Sequence, residues 1–169
     1  MPEVLSLSPA CTCIKTKIEL DVKNLFEPES RNELLLRLNN IDADSKSVWG
    51  QMTVDQMLWH CNRFLGYVKG DYDVAYKGNW FMKVFIKPMG LGNMPYPKAK
   101  GDTMPEFKAK NHYDIIAEKE LLKQNVQWFA LKQQQTDWPY HPLFGKFTAV
   151  NWARIAYKHT DHHLRQFGA

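Results

Sequence analysis

The stretch from Thr148 to Gly168 constrains the fold of this chain more than any other. It contains no proline, its first residue can accept an unpaired N–H of a helical turn, and its terminal glycine suits a positive φ. Within it, apolar residues and histidines recur at steps of three and four residues. Such steps place them on one stripe of a helix: Trp152, Ala156, His159, His163 and Phe167. The pattern predicts a long amphipathic helix with two histidines on its inner face.

These two histidines, His159 and His163, are one helical turn apart. Imidazoles at positions i and i+4 can each direct one nitrogen at a common point, which is how a helix supplies two ligands to one metal ion. Such pairs also arise by chance in histidine-rich stretches, and the adjacent His162 offers a competing pair with His159. We prefer His163 as the partner because it stays on the stripe with Trp152 and Ala156.

Three more long amphipathic helices are predicted upstream. The first opens at Pro28, the second begins at Thr53 with a capping box formed with Gln56, and the third starts near Asp114. No strand-rich stretch separates them, so the sequence predicts an all-α four-helix bundle formed by residues 28–169 as one domain. His60 lies at the edge of the second helix's apolar stripe. A lone histidine at such a position is usually a core-edge residue that is satisfied by one hydrogen bond.

The remaining segments are less regular. Residues 1–27 are predicted to form an N-terminal arm, in which Lys17–Phe26 alternates apolar and polar residues as an edge strand or an extended segment would. Glycines and prolines make the long connection from Gly70 to Lys110 irregular. Within it, residues 79–87 predict a short amphipathic helix packed on the bundle, as a pocket lid or a dimer contact, through four residues: Trp80, Phe81, Val84 and Phe85.

The composition limits the classes of function. The net charge of +4 comes from lysines and arginines scattered along the 169 residues, which does not support nucleic-acid binding. No apolar run is long enough to span a bilayer, so no membrane partner is expected. The three cysteines, Cys11, Cys13 and Cys61, are an odd number, and the first residues lack a secretory signal. A cytoplasmic location follows as an expectation.

If the second and fourth long helices are neighbours, His60 can point at the space between His159 and His163. Three neutral imidazoles leave a coordination position open, which is the pattern of catalytic rather than structural sites. A divalent ion there would activate a water or hold a thiolate. No carboxylate shares the stripe as a general base, and this favours thiolate chemistry over classical hydrolysis.

Three segments carry a resemblance to a known family: M-T-V-D-Q-M-L-W-H, H-P-L-F-G-K-F-T and W-A-R-I-A-Y-K-H-T-D-H-H-L-R-Q-F-G. They resemble the DinB/YfiT-like superfamily, and more closely its branch of small bacterial domains of unknown function, from about Glu29 to Gly168. The resemblance implies a four-helix bundle of up-down-down-up order, often dimeric. It also implies a divalent metal held by His60, His159 and His163. Relatives of this kind include thiol-dependent transferases, a thiol-dependent isomerase and proteins described as metal-dependent hydrolases.

The sequence thus predicts a metal-dependent enzyme acting on a small molecule, of the thiol S-transferase or the hydrolase type, with a low-molecular-weight thiol as a candidate cofactor. Zinc and nickel are the first candidates for the metal and iron and manganese the next, because imidazole ligands do not select one ion. The alternative is a non-enzymatic, stress-related binding protein or dimeric scaffold whose metal is structural or vestigial. Five residues are candidates for supporting the ligands or lining a pocket: His162, Tyr157, Arg165, His141 and Trp152.

Overall fold

The computed structural model describes residues 22–98 and 103–169, and their regular structure is helical, apart from one isolated bridge between His141 and Gly145. Five α-helices lie in these described ranges: α1 (Pro28–Asn39), α2 (Val54–Lys69), α3 (Lys87–Leu91), α4 (Ile115–Trp128) and α5 (Ala149–Gln166). A π-helical turn, Met82–Ile86, leads into α3, and 3₁₀ turns occur at Pro105–Phe107 and Phe129–Leu131. The predicted all-α class is confirmed for this part of the chain.

The helix ends follow the local signals in the sequence. The Thr148 side chain accepts a hydrogen bond from the Asn151 N–H at 3.2 Å, and Gly168 follows α5 with a φ of 77°. At the start of α2, the Thr53 N–H donates to Gln56 Oε1 at 3.3 Å. These side chains satisfy backbone groups that have no partner within the helix. The predicted caps of both helices are therefore present.

The four long helices pack through their apolar faces. Both α1 and α2 contact α4 and α5. Side chains from all four are almost fully buried between them, including Leu34, Leu65, Leu122 and Trp152. No helix in the described part of the chain is long and apolar enough to cross a membrane. The sequence brings His60 to the last helix only if the second and fourth long helices are neighbours. The contact between α2 and α5 shows that they are.

The N-terminal arm is described only from residue 22 onward. The Leu25 side chain is fully buried, and its N–H donates to the Ala153 carbonyl at 3.1 Å, so this end of the arm lies against α5. No strand occurs in residues 22–26. The remainder of the predicted arm, residues 1–21 with Cys11 and Cys13, lies outside the described residues.

The helical segment around α3 packs differently from the prediction. Trp80 and Phe81 are 70% and 54% exposed, and Val84 and Phe85 are exposed as well, so the expectation that these four pack on the bundle is wrong. Three other side chains of the segment pack against the core instead: Met82, Ile86 and Leu91. Because both sides of the segment are apolar, periodicity could not decide which side would be buried.

A lysine on α5 holds this segment in place. The Lys158 ammonium donates to the carbonyls of Met89, Gly90 and Gly92 at 2.9, 3.1 and 2.8 Å. The carbonyls at a helix end have no partner within the helix, so a lysine there satisfies them and complements the helix dipole. The contact ties the end of α3 to the residue beside His159. The long connection is thereby anchored next to the candidate site.

Candidate metal centre

Three histidines from two helices converge at one point. His60 extends from α2, and His159 and His163 extend from successive turns of α5. Their candidate ligand atoms all lie within 4.8 Å of one another. The Nε2 atoms of His60 and His159 are 3.0 Å apart. Among the described residues, this is the only group of three or more histidine, cysteine or acidic side chains with the spacing to hold a metal ion.

His60 is oriented by the connection between α2 and α4. Its Nδ1 lies 2.7 Å from the carbonyl oxygen of Phe107, which can only accept, so Nδ1 carries the proton and donates. In the neutral ring, the lone pair is then on Nε2, the atom that faces His159. The buried Phe107 side chain keeps this carbonyl in place, packing its ring 6.0 Å from that of Phe64. The long connection thus positions a candidate ligand.

His163 is oriented by a glutamine that the sequence reasoning did not identify. Its Nδ1 is 2.9 Å from Oε1 of Gln166, so the imidazole N–H donates to this amide oxygen and leaves Nε2 unprotonated. The Gln166 amide in turn donates to the Trp49 carbonyl at 2.8 Å. A Cβ on Gly50 would come within 2.5 Å of the Gln166 amide nitrogen, and Gly50 has a φ of 79°. A glycine at position 50 therefore leaves the space that this orientation requires.

His159 is the least satisfied member of the cluster. Its Nδ1 atom is buried and has no hydrogen-bond partner. Its ring packs against that of Phe64, with centroids 4.4 Å apart. A buried polar atom without a partner is uncommon in folded proteins. The nitrogen of His159 that meets His60 is the other one, Nε2, so His159 differs from its two neighbours in that no protein group orients its ring through Nδ1.

The surroundings keep the three rings uncharged. Burial lowers the pKa of His60 and of His159, and it lowers the pKa of His163 to about 3. The neighbouring imidazoles add to the effect on His159 and His163, because a second positive charge nearby is unfavourable. A neutral imidazole is the form that binds a metal. The donor set and its protonation therefore fit a divalent ion.

The cluster borders a cleft of about 810 Å³, a volume suited to a small molecule. Much of its wall is aromatic or aliphatic, with Trp49, Met52, Phe64 and Tyr96 among the lining residues. No aspartate or glutamate lines it in the described part of the chain. This agrees with the sequence-based expectation that no carboxylate stands beside the ligands as a general base.

Two of the five predicted supporting residues line the cleft. The His162 ring lies between the rings of Trp49 and Tyr96, with centroid distances of 5.8 and 5.7 Å. His141 lines the cleft from the loop before α5, where its Nδ1 accepts the N–H groups of Leu143 and Phe144, both at 3.2 Å. His162 is outside the group of three, so the competing His159–His162 pair is not the one that His60 meets.

The other three predicted residues do not reach the cleft. The Tyr157 hydroxyl donates to Glu33 on α1 at 3.3 Å, and the exposed Arg165 pairs with Asp161 at 3.0 Å. Trp152 is fully buried in the core, where its indole N–H donates to the Pro139 carbonyl at 3.2 Å. Trp152 lies on the predicted stripe, but its contacts are those of a core residue.

The loop histidine leads to a prediction about pH. Burial, with a smaller contribution from Lys87, lowers the pKa of His141 to about 3, whereas an unfolded chain has a value near 6.5. Between these values the unfolded state binds more protons, so stability falls as the pH falls. Between about pH 7.5 and pH 5, His141 alone should cost about 2 kcal/mol of unfolding free energy.

The control for this prediction is His141→Asn, whose amide oxygen can still accept from Leu143 and Phe144 but does not titrate. Urea unfolding at both pH values should show that the wild type loses about 2 kcal/mol more than the variant. The cluster histidines titrate in both proteins and cancel from the difference. Equal losses would mean that His141 is not held neutral in the folded state.

The fold and the cluster together define a class: an all-helical protein with three histidines placed so that they could hold a metal ion. Comparisons of the chain with protein-family models, with curated proteins and with solved structures found no match.

Proposed function

We propose that the protein is a metal-dependent enzyme of the DinB/YfiT-like type, built on a four-helix bundle of up-down-down-up order. Its metal would be held by His60, His159 and His163. The packing of α1 and α2 against both α4 and α5 supports the bundle. The observation that carries the function is the convergence of three neutral imidazoles, with ligand atoms within 4.8 Å, on a cleft large enough for a small molecule.

A divalent ion, with zinc and nickel as first candidates and iron and manganese next, would supply Lewis-acid chemistry that lowers the pKa of a water or a thiol. Each of the three histidines offers one ligand atom, and among the described residues no fourth histidine, cysteine or acidic side chain joins the group. A position would therefore remain for a substrate group, as in catalytic sites. This arrangement supports an enzyme over a scaffold with a closed structural metal.

The side chains around the cluster favour thiol chemistry over hydrolysis. Hydrolysis by an activated water usually relies on a general base, and no carboxylate lines the cleft among the described residues. A thiol ionises near neutral pH without a strong base. The apolar walls, which include Phe64 and Met52, would exclude water from the reacting sulfur and from a small electrophilic substrate. The His162 ring lies 5.1 Å from that of His163, so its imidazole is close enough to the ligands to accept a proton.

An activity assay tests this proposal. A panel of low-molecular-weight thiols, each mixed with the electrophile monochlorobimane and zinc- or nickel-loaded protein, should show a faster loss of free thiol for at least one member. His159→Ala should lower that rate by about 100-fold or more, since removing a ligand removes the chemistry of the ion. Thiol-independent hydrolysis of activated esters would favour the hydrolase form instead. If neither reaction responds to the loaded protein, the enzymatic proposal fails.

A further inference from the structure

The segment before and within α3 carries an exposed apolar surface, which we call the outer face: Trp80, Phe81, Val84, Phe85 and Met89. These side chains are between 45% and 70% exposed. The rings form one continuous patch, because Phe85 lies 5.8 Å from the Trp80 ring and 5.1 Å from the Phe81 ring. Contiguous exposed aromatic side chains of this kind mark an interaction surface rather than ordinary surface variation.

The opposite side of the same segment is apolar as well. Met82, Ile86 and Leu91 pack against the core, and Gly90 is buried beside the Phe144 ring. A helical segment that is apolar all around is normally buried on every side. The inner side is already covered by the bundle. The outer face therefore remains exposed to solvent, although its apolar side chains are typical of a buried surface.

The charged residues in the stretch of sequence that carries the outer face are of one sign. Between Asp73 and Asp102 the sequence contains no aspartate or glutamate but five lysines, two of which, Lys83 and Lys87, lie within the segment itself. Within the described residues neither forms an ion pair. The Lys83 ammonium lies 5.2 Å from the centre of the Tyr76 ring, and the Lys87 ammonium lies 4.9 Å from that of Phe147 and donates to the Lys146 carbonyl at 2.9 Å. The partner of this surface should therefore combine apolar material with negative charge.

We propose that the outer face docks the protein peripherally on an anionic lipid membrane. Tryptophan and phenylalanine can enter the boundary between headgroups and acyl chains, while lysines beside them extend to the headgroups. A second copy of the chain is the poorer occupant, because a symmetric contact would bring the lysines of both copies together. Peripheral docking needs no spanning segment, so it is compatible with the absence of a long apolar run in the sequence. The proposal is independent of the metal centre.

Vesicle flotation with the full-length protein tests this proposal. Binding to vesicles of phosphatidylcholine with about one third phosphatidylglycerol should exceed binding to phosphatidylcholine alone by at least about tenfold, and it should weaken as salt is added. Lys83→Gln with Lys87→Gln should reduce binding by about tenfold or more, since each lysine near an anionic surface contributes about a fivefold effect. Trp80→Ser with Phe85→Ser should reduce it at least as much.

The matched control is Leu131→Ser, since Leu131 is 84% exposed on a different helical turn. It should leave vesicle binding unchanged. Circular dichroism would confirm that the variants keep their helices. Equal binding to neutral and anionic vesicles, or binding that survives loss of Trp80 and Phe85, would overturn the proposal. So would self-association in the absence of vesicles that disappears with the same two residues, because that result would identify a second copy as the occupant.

Discussion

His159→Ala is expected to reduce bound metal from about one ion per chain to less than about one tenth, because a site of three histidines cannot hold a divalent ion tightly with two. His60→Ala should behave in the same way, since it contributes the ligand from the other helix. Elemental analysis after chelator treatment and reloading with Zn²⁺ or Ni²⁺ measures the change directly. Retention of one ion in both variants would rule out the proposed centre.

Two further variants distinguish ligands from their surroundings. Gln166→Leu should keep the ion but lower its affinity by about 10–100-fold, because His163 would lose the acceptor that orients its ring. His162→Ala is the matched control, since it removes an imidazole that lines the cleft but is outside the group of three. It should bind metal like the wild type. A loss in His162→Ala comparable to that in His159→Ala would assign the ligands differently.

Trp152→Ala is expected to lower the free energy of unfolding by about 3–5 kcal/mol, the range for deleting a large buried aromatic side chain. Its ring is fully buried, packs against Phe147 at 5.0 Å and His141 at 5.4 Å, and donates a hydrogen bond to the Pro139 carbonyl. Urea denaturation measures the change.

Trp80→Ala provides the comparison, because the same residue type at a 70% exposed position should change stability by less than about 0.5 kcal/mol. A small effect at Trp152 would contradict the core role that the structure gives it.

Local signals accounted for the helices. The caps at Thr148, Thr53 and Gly168 act on backbone groups within a few residues, so the sequence around each of them contained what was needed to predict it. The stripe that joins His159 and His163 is also local, because helical periodicity alone puts residues four apart on the same face. These predictions did not depend on how the helices pack.

The misassigned and missed features depend on contacts between distant residues. Helical spacing predicts that Trp80, Phe81, Val84 and Phe85 pack on the bundle. The other side of the segment is apolar as well, and only the packing of Met82 and Ile86 decides which side is covered. Gln166 was overlooked although it lies three residues after His163, because a glutamine near a helix end has no distinctive pattern. The spacing was a signal that could have identified it, since residues at i and i+3 share a helix face.

The sequence by itself determined where the long helices lie, how they are capped, and that two histidines share the inner stripe of the last one. Only the tertiary structure decided that α2 lies against α5, so that His60 meets those histidines, and that Phe107 and Gln166 set the orientation of two of the rings. The reason is physical. Periodicity records which face of a helix avoids water, whereas the partner of that face, and the backbone carbonyl that meets a given imidazole, depend on the packing of the whole core.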